Sequence, residues 1–302
     1  MGPSATASTT GWAGVVVNYN AGPALCGCVA SLLAEAPDEI VVVDNDSSDG
    51  SAEALRRSYP EVTVVAAGQN LGYARAANLG IAATRAPVVA VLNPDTVVQT
   101  GAAGVALGRF DAEADLGALG PRLLNTDGSV YPSARTVPSV ADAVGHGLLY
   151  FVWAGNPFTR RYRQTDADPG RPRDVDWVSG AAVWLRRSAL DGVGGWDERY
   201  FMYVEDVDLC WRLRRAGWRV GYEPGAAVEH LLGTSTAGAP YRMIAEHHRS
   251  LYRFATRHFT GRRKLLLPAA AGFLGGRALL AMAHHKAAAL RPRRTPGPEV
   301  SR

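Results

Sequence analysis

Cysteine is scarce: Cys26, Cys28 and Cys210 are the only three in 302 residues. That number and spacing exclude a disulfide framework, and Cys26-Gly-Cys28 is neither a zinc spacing nor matched by a second pair. A reducing, cytoplasmic setting is the expectation. The opening "MGPSATASTTGW" has no basic start and no apolar core, so no signal peptide is expected, and residues 1–11 read as disordered. No G-x-G-x-x-G follows the first strand pattern and no G-x-x-x-x-G-K-[ST] occurs, so a Rossmann or P-loop phosphate cradle is excluded. Internal repeats are absent too.

Apolar residues, by contrast, are plentiful. At 47% hydrophobic and 20% charged, the chain can bury a substantial core. Its charge is uneven. Thirteen Lys and Arg from Arg242 onward face only Glu246 and Glu299, a local balance of +11, which leaves −7 for residues 1–241 of a chain at +4 overall. An acidic body with a basic tail points to an anionic partner surface. The tail lacks the interleaved aromatics of a single-strand binder, so a membrane surface is expected rather than nucleic acid. Within "KLLLPAAAGFLGGRALLAMAHHKAAALRPRR" (264–294), Pro268, Gly272, Gly275, Gly276 and Arg277 interrupt the apolar run. That predicts an interfacial helix rather than a spanning one, with packing on the domain as the bland alternative.

The first half alternates β-branched runs with helical patterns, which predicts an α/β protein with a mostly parallel central sheet and helices on both faces. Strands are expected at 14–20, 39–45, 62–68 and 87–95, with helices between them. Residues 121–176, rich in Pro, Gly and Arg, read as loops over a cleft. "RVGYEPGAAVEH" (219–230) reads as two short strands. Ligands of such sheets bind beyond the strands' carboxyl ends. The polar residues there are Asn18, Asn20, Asp44, Asp46, Asn70, Asn93 and Asp95.

"YFMYVEDVDL" (200–209) raises the sharper question, because Glu205, Asp206 and Asp208 crowd together after an apolar stretch. Acids are favoured in a helix's first turn, so they are either a solvated helix start or carboxylates that work together. "VLNPDT" is equally open: good turn chemistry, or a carboxylate that reaches a cation clamping a diphosphate. His230 alone is more often structural than a ligand. Trp177, Trp184, Trp196, Tyr200, Phe201 and Tyr203 read as core or cleft wall.

The order of these pieces is more specific than any one of them. "VVVNYN", "VVVDNDSSDGS", "GQNLGYARAANLGI", "VLNPDT", "VSGAAVWLRRSAL", "GGWDERYFMYVEDVDLCWRLRRAGW" and "VEHLLGTS" together resemble an inverting family 2 glycosyltransferase, in its rhamnosyltransferase branch. The resemblance implies a GT-A domain over residues 12–240 and a helical, basic, membrane-associating segment over 241–302. It implies Asp206 as catalytic base with Glu205 beside it, Asp44 as a base-reading carboxylate, and Asp95 with His230 at a Mg²⁺ or Mn²⁺ site. The usual Asp-x-Asp stands here as Asn93-Pro94-Asp95, one carboxylate short. The implied reaction moves L-rhamnose from dTDP-rhamnose to a polyprenyl-diphosphate-linked GlcNAc at the cytoplasmic face of the membrane. Another hexosyl donor, or a non-catalytic sugar-binding module, are the alternatives. Whether the chain forms a homo-oligomer is left open.

Overall fold

The computed structural model of the chain describes residues 11–150, 152–231 and 239–289, which divide into two compact units at the Gly238/Ala239 boundary. The expected disorder of residues 1–11 lies outside the described residues except for Gly11, as does the end of the basic tail.

The first unit begins β1 (Trp12–Asn18), α1 (Ala24–Ala34), β2 (Glu39–Asp44), α2 (Ser51–Ser58), β3 (Thr63–Ala66), α3 (Tyr73–Ala82) and β4 (Val88–Leu92). It continues through β5 (Thr96–Val98), α4 (Ala102–Ala112), β6 (Leu116–Leu124), β7 (Val130–Tyr131), β8 (Ala134–Arg135), α5 (Val140–Leu149) and α6 (Pro157–Arg163). β9 (Arg173–Asp174), β10 (Trp177–Val178), β11 (Ala182–Arg186), α7 (Arg187–Val193), α8 (Glu205–Arg215) and β12 (Arg219–His230) complete it.

The two-residue period of a strand explains why β1 is buried along its whole length. Trp12 and Val16 join one core with Leu25, Leu32 and Phe110, whereas Val15 and Val17 join another with Ala77, Leu209 and Leu213. Helices α1 and α4 close the first face, α3 and α8 the second. The sheet order is β3-β2-β1-β4-β11-β6-β12-β5. β3, β2, β1 and β4 are parallel neighbours. β11 runs against β4 and β6, β12 lies parallel to β6, and β5 runs against β12. The sheet is therefore mostly parallel, with helices on both faces.

The order also locates a crevice. The chain steps from β1 outward to β2 and β3, then crosses to β4 on β1's other side. Such a reversal opens a cleft at the carboxyl ends of β1 and β4, flanked by Asn18 and by Asn93–Asp95.

Two expectations for this unit need correction. Residues 121–176 are not simply loops: β6 runs to Leu124, and β7, β8, α5, α6 and β9 follow. Residues 219–230 form one strand rather than two, because the Pro224-Gly225 step is absorbed as an irregularity in the β6–β12 register between Glu223 and Ala227.

The second unit holds α9 (Pro240–His258), a 3-10 turn (Gly261–Leu266) and α10 (Leu267–Ala289). Here the residues that interrupt the apolar run do not interrupt the helix. Pro268 falls in the first turn of α10, where its missing N–H costs nothing, and an interior glycine costs only about 1 kcal/mol. The helical stretch Gly261–Ala287 is long and apolar enough, by length and composition, to cross a membrane. Arg277, in the middle of α10, donates to His248 Nε2 of α9 at 2.9 Å. Leu265, Leu266, Leu279 and Leu280 are exposed.

Candidate active site

Asn18 and Asp44 end β1 and β2 side by side in register. The fully buried Asn18 amide nitrogen lies 3.1 Å from Asp44 Oδ1 and 3.0 Å from the Ser47 and Ser51 hydroxyls. Its Oδ1 is buried without a partner. Asn20, in a left-handed conformation (φ 51°), accepts from Ser48 N through Oδ1 at 2.8 Å. These ties make the ends of β1 and β2 one rigid corner. Asp46, also left-handed (φ 71°), points to solvent and is not drawn into it. Asn70 braces a neighbouring loop instead: its Oδ1 accepts from Asn45 Nδ2 at 3.2 Å and from Gly72 N at 3.0 Å.

On the other side of the cleft, His230 pairs with Thr96 across the β5–β12 ladder. That register brings His230 Nε2 to 3.2 Å from Asp95 Oδ1, although 135 positions of sequence separate the two residues. Both side chains are nearly buried, and the Asn93 amide stands 3.5 Å from the same nitrogen. One carboxylate and one imidazole suit a divalent cation, and His230 Nδ1 is buried without a partner. No three His, Cys, Asp or Glu side chains gather as a ligand set among the described residues. The donor set thus fits a cation that takes its remaining ligands from phosphate oxygens and water.

The acids of α8 separate into different roles. Tyr203 and Val204, immediately before the helix, are both left-handed at φ 67° and 68°. That conformation is costly for a β-branched residue and is held only where surroundings enforce it. It turns Glu205 and Asp206 inward. Asp206 Oδ2 accepts from Gly180 N at 3.0 Å and Oδ1 from Val207 N at 2.8 Å. Burial raises its pKa, against the two N–H donors and the Arg135 charge, which lower it. Glu205 is buried, and its Oε2 has no partner. Burial, with the Asp206 charge adding to it, pushes the Glu205 carboxyl well above the usual carboxylate range. Burial raises both, and Glu205 the more strongly. The N–H donors favour Asp206 as the carrier of negative charge.

Asp208 differs entirely. It is fully buried, bound to Arg212 Nε at 2.6 Å and within 3.3 Å of the Tyr200 hydroxyl. The reading in which all three carboxylates work together thus does not extend to Asp208, which Arg212 neutralises. Of the aromatics, Trp177, Trp184, Trp196 and Tyr200 are core, while Phe201 and Tyr203 are half-buried.

Two residues not singled out in the sequence complete the site. Arg135 lies in an aromatic cage, its guanidinium 5.0 Å from the Trp177 ring and about as close to Tyr131 and Tyr162. The Tyr73 hydroxyl donates to Gly180 O at 2.6 Å. Burial raises its pKa well above the ordinary value, with the charges of Glu205, Asp206 and Asp95 adding to it. Tyr73 therefore lies within electrostatic reach of both acidic groups.

A strand-end corner, a carboxylate–imidazole pair and an inward acid pair thus face one crevice of a mostly parallel sheet. The Glycosyl transferase family 2 profile matches residues 15–193. The chain belongs to that family. A related profile, Glycosyl transferase family group 2, matches residues 158–285. Among characterised relatives, the N-acetylglucosaminyl-diphospho-decaprenol L-rhamnosyltransferase of Mycobacterium tuberculosis is 42% identical over 258 residues, covering 81% of this chain and 84% of that one. Two solved structures have the same fold. The Pyrobaculum calidifontis mannosyltransferase PcManGT, in complex with GDP-Man and Mn²⁺, superposes with a TM-score of 0.58 at 17% identity, over 96% of this chain and 78% of that one. GalNAc-T7 with UDP, GalNAc and Mn²⁺ gives 0.56 at 16%, over 74% and 43%. The family 2 resemblance and the GT-A fold expected from the sequence are borne out.

Proposed function

We propose that this family 2 glycosyltransferase moves L-rhamnose from dTDP-L-rhamnose to a polyprenyl-diphosphate-linked GlcNAc, with inversion, in assembly of the cell-wall arabinogalactan linker. The observation that carries the reading is the 42% identity, spread over most of both chains, to a rhamnosyltransferase of that acceptor class. The site supplies the chemistry. Asp206, the charged member of the acid pair, takes the acceptor hydroxyl proton as that oxygen attacks the anomeric carbon. The bond from that carbon to the diphosphate oxygen breaks in the same displacement, and the nucleoside diphosphate leaves with the electron pair. Glu205, buried beside Asp206 with its pKa raised the more strongly of the two, keeps the surroundings of that carboxylate low in polarity. Asp44 and Asn18 form the rigid corner that reads the nucleoside, and Asp95 with His230 would hold Mg²⁺ or Mn²⁺. When bound, that ion supplies positive charge for the departing diphosphate.

The second unit suits a lipid-linked acceptor. The 3-10 turn exposes Leu265 and Leu266, and α10 exposes Leu279 and Leu280, between basic residues at Arg262–Lys264 and Lys286. α9, through His248, holds Arg277 in the middle of α10. A crossing orientation would carry that Arg–His pair into hydrocarbon, where charge is expensive. An in-plane seat at the cytoplasmic face is favoured instead, with the exposed leucines in lipid.

A donor panel with purified protein and a short-chain GlcNAc-diphosphate-lipid acceptor, with and without chelator, tests the catalytic reading. Preference for dTDP-rhamnose supports it. Preference for a galactofuranosyl or other hexosyl donor keeps the mechanism but overturns the donor. Absence of transfer from every donor favours a sugar-binding module. Removal of residues 262–302 should release the protein from membranes; retention at high salt overturns the membrane seat.

A further inference from the structure

Gly180 stands between the acid pair and the strand-end cleft, and the structure ties it on every side. Its N–H donates to Asp206 Oδ2 at 3.0 Å, and its carbonyl accepts from the Tyr73 hydroxyl at 2.6 Å. The next carbonyl, Ala181 O, accepts from Asn93 N at 2.8 Å, and Ser179 N donates to Ser133 O at 2.9 Å. Glycine has more backbone freedom than any other residue. Nothing in Gly180 itself keeps its N–H on the carboxylate. The Tyr73 hydroxyl is the tie applied to Gly180's own carbonyl.

Tyr73 is in turn immobilised. Its backbone N donates to Phe201 O at 2.8 Å, and its ring meets Trp196 edge-on at 5.7 Å and 82°. Gly72 before it is left-handed (φ 81°), and a Cβ there would lie 2.4 Å from Phe201 O, so only glycine permits this approach. Asn78 on the same helix clamps Trp196 through both its amide atoms, at 2.9 Å each. α3 thus grips the segment leading into the acids while its first residue reaches across to Gly180.

Resting on the reading of Asp206 as the base, we propose that Tyr73 is a positioning residue whose hydroxyl locks the Gly180 backbone so that its N–H stays on Asp206. The consequence has a definite sign. An N–H aimed at a carboxylate favours its charged form. Loss of the lock lets Asp206 take up its proton at higher pH, so the acid limb of the rate profile moves upward. The groups facing Asp206 are Glu205 beside it, Cys210 one turn along α8, Arg135 from β8 and Tyr73 from α3. Tyr73→Phe removes one oxygen and no charge, so the shift would come from geometry.

The test is a cycle of Tyr73→Phe, Asp206→Asn and the double variant, with kcat and donor KM followed across pH. Tyr73→Phe should lower kcat at neutral pH by about tenfold, the scale of one buried hydrogen bond. It should also move the acid limb upward and change donor KM by less than about twofold. In the Asp206→Asn background the same change should be nearly silent, because the group it acts through is gone. A rate loss with an unmoved pH profile, or equal losses in both backgrounds, makes Tyr73 a packing residue and overturns the proposal. If Asp206→Asn alone keeps near-parental turnover, it is the base assignment that fails, and the inference falls with it.

Discussion

The two acidic regions of the cleft differ in where their carboxylates find partners. At the strand ends, side chains of opposite type bond across elements: Asn18 Nδ2 with Asp44 and two serines, Asp95 with His230, while Asn18 Oδ1 and His230 Nδ1 stay buried without a partner. At the start of α8, Glu205 Oε2 is buried without a partner and two left-handed residues force the acids inward. Paired groups are stable and preorganised, which suits holding a ligand. Two carboxylates buried side by side, without an opposite charge hydrogen-bonded to either, keep a raised pKa and a readiness to take a proton, which suits reaction. The difference supports the proposed reading, in which one region binds and the other reacts.

The largest expected effect breaks the comparison outright. Asp206→Asn keeps size and most hydrogen bonds but cannot accept a proton near pH 7. Its kcat should fall by about 10²–10⁴, the usual general-base contribution, while donor KM stays nearly constant. In the parent, kcat should decline on acidification through a pKa above the ordinary carboxylate value, since burial raises that of Asp206. A variant that turns over within about threefold of the parent, under 1 kcal/mol of barrier, removes Asp206 from the chemistry.

Asp208 sharpens the contrast from within the same helix. Asp208→Ala leaves the Arg212 charge nearly buried with its partner gone, and breaking such a pair costs about 3 kcal/mol or more. A fall in Tm of roughly 6–12 °C is expected for a domain of this size, with kcat per folded molecule near the parent's. A large loss of kcat at unchanged Tm would place Asp208 with the reacting acids instead.

At the binding end, Asp95→Ala or EDTA should abolish most turnover, and His230→Ala should weaken it less, since Asp95 supplies the charge. Readdition of Mn²⁺ should restore the chelated parent and not Asp95→Ala. Full activity surviving both chelator and Asp95→Ala would end the metal assignment.

Much of this was legible in the residues. The strand ends could be read because an apolar run that stops on Asn or Asp marks where a buried strand meets the cleft. The parallel sheet followed from the same runs. Glu205, Asp206 and Asp208 look alike in sequence, because their partners, Gly180 and Arg135 on one side and Arg212 on the other, are set by packing. Tyr73 and Arg135 carried no signal, since the contacts that matter to them are about 40 to 110 positions away. Pro268 and the glycines of α10 interrupt the apolar run without ending the helix. Breaker rules average over positions, and Pro268 occupies the one turn where proline is harmless.

The smallest effect tests the unpaired carboxyl directly. Burial raises the Glu205 pKa in the folded protein above its unfolded value. The folded state therefore binds the proton more tightly, and stability from this group is fully present below the unfolded pKa. It is lost as pH rises through the folded value. Glu205→Gln replaces the carboxyl with a neutral group of the same shape, so it should remove that loss. Tm should rise relative to the parent at pH 8, by a few degrees for a gain of about 1 kcal/mol, and the gain should vanish toward pH 4. Turnover should fall less than for Asp206→Asn, because Glu205 neither takes the proton nor, in its neutral form, supplies charge. The order of the two variants is the informative result. If Glu205→Gln costs more turnover than Asp206→Asn and gains no stability at pH 8, the charge of the pair resides on Glu205, and the roles of the two acids are reversed.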